Sequence, residues 1–261
     1  MMFIKLLGKG TIAEVYLTKF NNSNDFYATK KIKKNINENS KIKKFLENEK
    51  KMLSELKHPN IIKLERFSET QNHYILTLEY CNGGSLEKCL KNYIEMYKKP
   101  FSEEIIQYLM KQIIEGVKYI HQHDIIHCDL KLDNIFVKFY SNEDINKVNM
   151  LKSQIKISKF RFSRMNNSFL GNKINMDPLI LKRFKDTDIF NNLFGYDKSV
   201  DIWSLGTLCY EMLIGQWFFN ERNKNDLLKK LKISKYTIPS HLSKEVIFFL
   251  KECFKITQLK D

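Results

Sequence analysis

Over the first eighty residues, short apolar runs alternate with turns: FIKLL, EVYLTKF, FYATKKI, IIKLERF and HYILTLEY. Patterning of this kind, bounded by polar turns, predicts five antiparallel strands. One Lys/Glu-rich stretch, Ser40 to Leu56, separates the third from the fourth, and there Ile42, Phe45, Glu49, Met52, Leu53 and Leu56 recur at helical spacing. Glu49 thus points inward among apolar neighbours, and an inward carboxylate needs a partner. After Gly83-Gly84 the pattern turns helical, over Ser85 to Tyr97 and Ser102 to Gln122, with Ser102 as N-cap and Glu103 and Glu104 in the first turn. A β-rich patch follows, IIHCDLKLDNIFVKF and QIKISKF, split by a polar insert, Ser141 to Ser153, that reads as a mobile loop. DIWSLGTLCYEMLIG, NDLLKKL and SKEVIFFLKECF read as three further helices. The pattern predicts an α+β chain: a small antiparallel sheet with one helix over 1–80 and a larger, mainly helical part over 81–261.

At 261 residues and 43% apolar content, the chain can fill a sizeable core. Its net charge of +14 would draw nucleic acid, anionic membrane, acidic proteins or phosphorylated ligands alike. Much of the excess is scattered, as at Lys30 to Lys34 and Lys41 to Lys44, and reads as solvated surface. No zinc-finger spacing, aromatic-rich RNA-binding motif or clustered basic helix supports specific nucleic-acid recognition. The five cysteines stand far apart without a CxxC pair. Such usage argues against a disulfide framework or zinc site and for a reducing compartment, cytoplasmic or nuclear. MMFIKLLGKG is too short for a signal-peptide core, and no apolar run is long enough to span a bilayer.

Gly8-Lys9-Gly10-Thr11-Ile12-Ala13-Glu14-Val15 lies between the first two predicted strands, where glycines let backbone N–H groups approach a phosphate. A plain hairpin turn accounts for it equally well. Lys30, on the third strand, and Glu49 form either an ion pair presenting an ammonium to phosphate oxygens or two unrelated residues in a lysine-rich chain. More specific is Ile126-His127-Cys128-Asp129-Leu130-Lys131-Leu132-Asp133-Asn134-Ile135-Phe136-Val137. Asp129, Lys131 and Asn134 put on one loop a carboxylate to orient a hydroxyl, a cation to neutralise a transferring phosphoryl group, and a metal-binding amide.

Taken in order, the Gly-rich loop, Ala-x-Lys, the inward Glu, Glu79-Tyr80-Cys81, H-x-D-L-K-x-x-N and D-I-W-S-L-G make the chain resemble the eukaryotic protein kinases along essentially its whole length. The D-L-K-x-x-N form is similar to the Ser/Thr-directed branch. The resemblance implies a two-lobed fold with an N-lobe over 1–80 and a C-lobe over 81–261, ATP as nucleotide with magnesium or manganese, and a protein partner or substrate. It further implies that Leu7, Gly8, Gly10 and Val15 roof the nucleotide, that Val15, Ala28 and Phe136 sandwich adenine, and that Leu78 is the gatekeeper before a hinge of Glu79 to Cys81. Lys30 and Glu49 would be the phosphate-binding pair, Asp129, Lys131 and Asn134 the catalytic residues with Asn134 on the metal, and Asp201 the brace of the catalytic loop.

The departures from that pattern are specific. Lys159-Phe160-Arg161 stands where the family has D-F-G, so the metal-binding Asp is a Lys, which repels a cation and is itself able to sit against phosphates. Phe160, with Leu53 and His127, retains the family's apolar stack, whereas Arg161 removes a glycine's access to positive φ. Ala13 replaces the third loop glycine, Cys128 an Arg, Ser85 an acidic ribose contact, Asn172 a substrate-positioning Thr, and Asp177-Pro178-Leu179 the A-P-E tripeptide. Ser163 and Ser168 are the available hydroxyls nearby. The final helix, ending at Asp261, stops where the family's last helices begin, which reads as truncation. Two readings follow: a nucleotide-binding scaffold or allosteric partner with impaired transfer, or an active Ser/Thr kinase with unusual metal use.

Overall fold

The computed structural model describes residues 1–10, 13–21, 24–34, 39–165, 198–216 and 238–255. The helix expected over NDLLKKL, Asn172, Ser168, Asp177-Pro178-Leu179 and residues 256–261 lie outside the described residues. The chain divides into two units, Met1–Cys89 with Asp133–Ser163, and Leu90–Leu132 with Arg164–Asp261.

In the first unit, β1 (Met2–Lys9), β2 (Ala13–Lys19), β3 (Phe26–Lys33), β4 (Leu64–Glu69) and β5 (His73–Glu79) form one antiparallel sheet in the order β1-β2-β3-β5-β4. Each strand falls on one of the five apolar runs of the sequence, although β4 begins at Leu64 and leaves Ile61 and Ile62 outside it. Val15 lies opposite Lys30 and Lys30 opposite Leu76, while Leu17 lies opposite Ala28 and Ala28 opposite Leu78. Directly opposed residues share a face, so Val15, Ala28, Lys30 and Leu78 line one side of the sheet.

The helix α1 (Asn39–Glu55) interrupts the strands as its periodicity predicts. It buries Leu46, Glu49, Met52 and Leu53, and Leu56 is buried just beyond it. Leu46, absent from the expected inward set, packs with Ile32, Tyr74 and Leu76, whereas Phe45 is half-buried.

A second sheet, order β6-β8-β9, joins β6 (Gly84–Ser85), β8 (Ile135–Phe139) and β9 (Ser153–Ile157). The insert between β8 and β9 is not the expected loop. It forms a short helix α4 (Asn142–Asn146) and a 3₁₀ turn, Met150–Lys152. Its polar side chains are spent on its own backbone and on one another. Ser141 Oγ accepts from Asp144 N–H at 3.0 Å, and the buried Asp144 carboxylate accepts from Ser141 Oγ at 2.6 Å and Asn149 Nδ2 at 3.0 Å.

The second unit holds most of α2 (Leu86–Tyr97), then α3 (Glu103–Gln122), β7 (Ile125–Ile126) paired with β10 (Arg164–Met165), α5 (Ser199–Ile214) and α6 (Lys244–Lys255). Ser102 caps α3 as its sequence predicts, its side chain accepting from Ile105 N–H. A Cβ at Gly206 on α5 would meet Cys253 Cβ and a Phe254 ring carbon at 2.7 Å, so close approach to α6 excludes any larger residue there. Among the described residues, no helix is long and apolar enough to cross a membrane.

Candidate nucleotide and phosphoryl-transfer site

The first unit carries the residues expected around a nucleotide. Gly8 and Gly10 flank the β1–β2 turn, and neither has positive φ. A Cβ at Gly8 would meet nothing within 4 Å, and at Gly10 only Ala13 O at 3.6 Å. Neither backbone conformation nor packing among the described residues therefore calls for glycine at either position. Leu7 is exposed, while Val15, Ala28, Leu78 and Phe136 are half-buried, leaving an apolar surface incompletely covered by the chain itself.

Lys30 Nζ lies 2.8 Å from Glu49 Oε2, with the Glu49 side chain only 3% exposed and that of Lys30 22% exposed. The inward carboxylate of α1 thus has its partner on β3, and the ammonium keeps an open side on the sheet face shared with Val15 and Ala28.

At the end of β5, the Glu79 carboxylate receives two ammonium groups, Lys138 from β8 at 3.0 Å and Lys156 from β9 at 2.9 Å. These bonds fasten Glu79, the first of the expected hinge residues, to the hairpin that bears Phe136. Burial alone would raise the Glu79 pKa; the hydrogen bonds from Lys156 and Lys138 outweigh it and hold the carboxyl below its ordinary value of 4.5. A depressed folded pKa gives stability that is complete above the unfolded value and lost as pH falls through the folded one. Stability of the chain is accordingly expected to fall below about pH 4.5, and less steeply in Glu79→Gln. Chemical denaturation of both proteins between pH 3 and 7 checks this, and parallel curves would contradict it. Cys81, the last hinge residue, is buried, and its thiol is pushed up to about 12, chiefly by that burial.

Asn134 is fully buried on the first unit, and its backbone carbonyl accepts from Ser158 N–H at 3.0 Å. The next residue, Lys159, has a left-handed backbone (φ 66°), uncommon for a residue with a side chain. Its ammonium donates to Asp133 Oδ2 at 2.6 Å and to Asp133 O at 3.1 Å. The ammonium that the sequence left able to sit against phosphates is thus bonded to the Asp133 carboxylate. Arg161 lies in the 3₁₀ turn Phe160–Phe162, so the positive φ of this segment belongs to Lys159. Phe160 and Leu53 are buried in this unit, as His127 is in the other. Ser163, expected to be an available hydroxyl, is 4% exposed.

The second unit presents Asp129, 5% exposed, with Lys131 Nζ 3.5 Å from its Oδ1. The loop before them is braced by Asp201, which has no exposed surface. Asp201 Oδ2 accepts from His127 N–H at 2.8 Å and approaches His121 Nε2 at 2.9 Å, while Oδ1 accepts from Cys128 N–H at 3.0 Å. Cys128 itself has φ 63°.

Lys138, Lys156 and Asp133 are participants that the sequence pattern did not single out. Lys138 carried a signal, a lysine on β8, whose other residues are all apolar. Lys156, on β9 with Ser153 and Gln154, and Asp133 carried none, because each acts through a partner distant along the chain.

A sequence model of the protein kinase domain matches residues 1–260. The chain belongs to the protein kinase family. It is 30% identical over 267 residues to a MAP kinase kinase kinase, mkh1, of Schizosaccharomyces pombe, covering 97% of this chain and 22% of that protein. It is 33% identical to calcium-dependent protein kinase 4 of Plasmodium berghei, covering 97% of this chain and 44% of that protein. It is also 33% identical to the serine/threonine-protein kinase atg1 of Dictyostelium discoideum, covering 92% and 34%. The chain spans less than half the length of these relatives.

Protein kinases use ATP with a divalent metal. The nucleotide fits the residues present, given the open glycine turn and the half-exposed Lys30. The metal does not. A magnesium ion is held by carboxylate and phosphate oxygens, and here the position of the expected carboxylate beside Asn134 carries an ammonium, that of Lys159. Among the described residues, no cluster of three His, Cys, Asp or Glu side chains offers a metal site elsewhere.

Proposed function

We propose that this kinase-family chain binds a nucleotide such as ATP without a catalytic metal and acts mainly as a conformational scaffold or allosteric partner of another protein, with impaired phosphoryl transfer. One observation carries the reading: the Lys30–Glu49 pair is formed, while the position of the metal-binding carboxylate holds an ammonium bonded to Asp133. Lys30 binds phosphate oxygens, the sheet face of Val15 and Ala28 receives the base, and the ionic hold on Glu79 fixes the hinge. Without an ion to bridge the phosphates, their charge is left to lysines, which hold the ground state but supply little of the stabilisation that phosphoryl transfer demands.

The first test is thermal unfolding with ATP, with and without magnesium or manganese, on the native chain and on Lys30→Ala. A ligand at about 100 times its Kd adds roughly 2.7 kcal/mol of stability. A shift without metal that is much reduced in Lys30→Ala is expected, and no shift under any condition would refute nucleotide binding.

An active Ser/Thr kinase remains the second reading, favoured by the Asp129–Lys131 pair on a braced loop. Transfer of labelled phosphate to protein, abolished by Asp129→Asn, would establish it. The five cysteines, all among the described residues, form no disulfide, in keeping with the expected reducing compartment, cytoplasmic or nuclear.

A further inference from the structure

We propose that Asn48 is a positioning residue that locks the segment after Lys159 to α1 and so keeps the Lys30–Glu49 pair assembled before any ligand arrives. Asn48 Nδ2 donates to Phe160 O at 3.2 Å and to Ser163 O at 2.7 Å. Ser163 N–H donates to Phe160 O at 3.1 Å, closing the turn that the amide clasps. On the same side, the Phe45 and Phe162 rings meet edge to face at 5.4 Å. Glu49, the next residue of α1, reaches Lys30 at 2.8 Å.

Consecutive helix residues project about 100° apart, so one turn of α1 serves two targets, an ammonium on β3 and two carbonyls after Lys159. Lys159 is itself tied to Asp133. Lys30, Glu49, Asn48, the Phe160–Ser163 turn, Lys159 and Asp133 form one continuous series within the first unit. It sets the position of one lysine relative to the other.

The chemistry requires an amide at position 48. Its NH₂ group offers two donors to two carbonyl oxygens, whereas an isosteric carboxylate has none and would set negative oxygens against them.

The inference rests on the reading that Lys30 contacts the nucleotide, and its test separates the two. ATP affinity without metal is measured for the native chain, Asn48→Asp and Asn48→Leu, each with and without Lys30→Ala, together with hydrogen exchange of the ligand-free proteins. Either Asn48 variant should lose roughly tenfold in affinity, the scale of two hydrogen bonds, and lose nothing further once Lys30 is Ala. Equal losses in both backgrounds, or native affinity in the folded Asn48 variants, would overturn the proposal. If the native chain binds no nucleotide, the nucleotide reading fails and exchange decides the lock. Faster exchange at the Ser163 amide and along α1 in Asn48→Asp supports it, and unchanged exchange overturns it. Asn48→Leu, which fills the space without donors, distinguishes lost bonding from lost packing if Asn48→Asp is poorly folded.

Discussion

Replacing Asp201 by Ala should destabilise the chain by about 3–5 kcal/mol, the usual cost of removing one member of a buried charged network. Three donors converge on this carboxylate, two of them the backbone N–H groups of His127 and Cys128. Each buried donor that loses its acceptor costs about 1–3 kcal/mol. Cys128 adds to the effect, because a side-chain-bearing residue at φ 63° persists only where its surroundings hold it there. For a chain of this size the loss corresponds to roughly 10 °C in Tm, measurable by calorimetry or circular dichroism. Asp201→Asn, which keeps one acceptor oxygen, should lose less. A Tm within 2 °C of the native value, by the same conversion, would mean that Asp201 is not the brace.

The second large effect concerns metal. Lys159→Asp exchanges an ammonium for a carboxylate, a change of two charge units beside Asn134, and it frees Asp133 from the ion pair at 2.6 Å. An oxygen donor set of the kind magnesium requires would then exist. Nucleotide binding by Lys159→Asp should become metal-dependent, with an affinity gain on the order of tenfold once solvent screening of a side chain one-third exposed is allowed for. Any phosphate transfer should rise on the order of 10²-fold, the typical value of one preorganised electrostatic group. Thermal unfolding with ATP, with and without magnesium, and transfer of labelled phosphate read both effects. A shift indifferent to metal in Lys159→Asp would show that the side chain at 159 does not govern the metal.

These two effects differ in how far the sequence disclosed them. Asp201 was legible as a brace through resemblance, yet its bonds reach 73 and 74 residues back along the chain, and no local pattern records them. Lys159 was legible as a substitution, but its direction was not. The sequence left it able to sit against phosphates, and the structure bonds it to Asp133. The insert after Ser141 was misread for a related reason: polar side chains look the same whether they face water or cap a short helix.

The sequence by itself determined the five strands of the first sheet, the place of α1 between the third and fourth of them, the inward Glu49 and the cap at Ser102. Each follows from period and spacing over a few residues, where local geometry dictates which side chains share a face. The family came from the resemblance of its motifs in order along the chain. Tertiary structure alone decided what depends on partners remote along the chain: Lys138 and Lys156 on Glu79, Asn48 on the turn after Lys159, and Lys159 on Asp133. Hydrogen bonds and ion pairs are set by distances of about 3 Å in space, and a lysine or an asparagine has the same letter whether it meets water or a carboxylate.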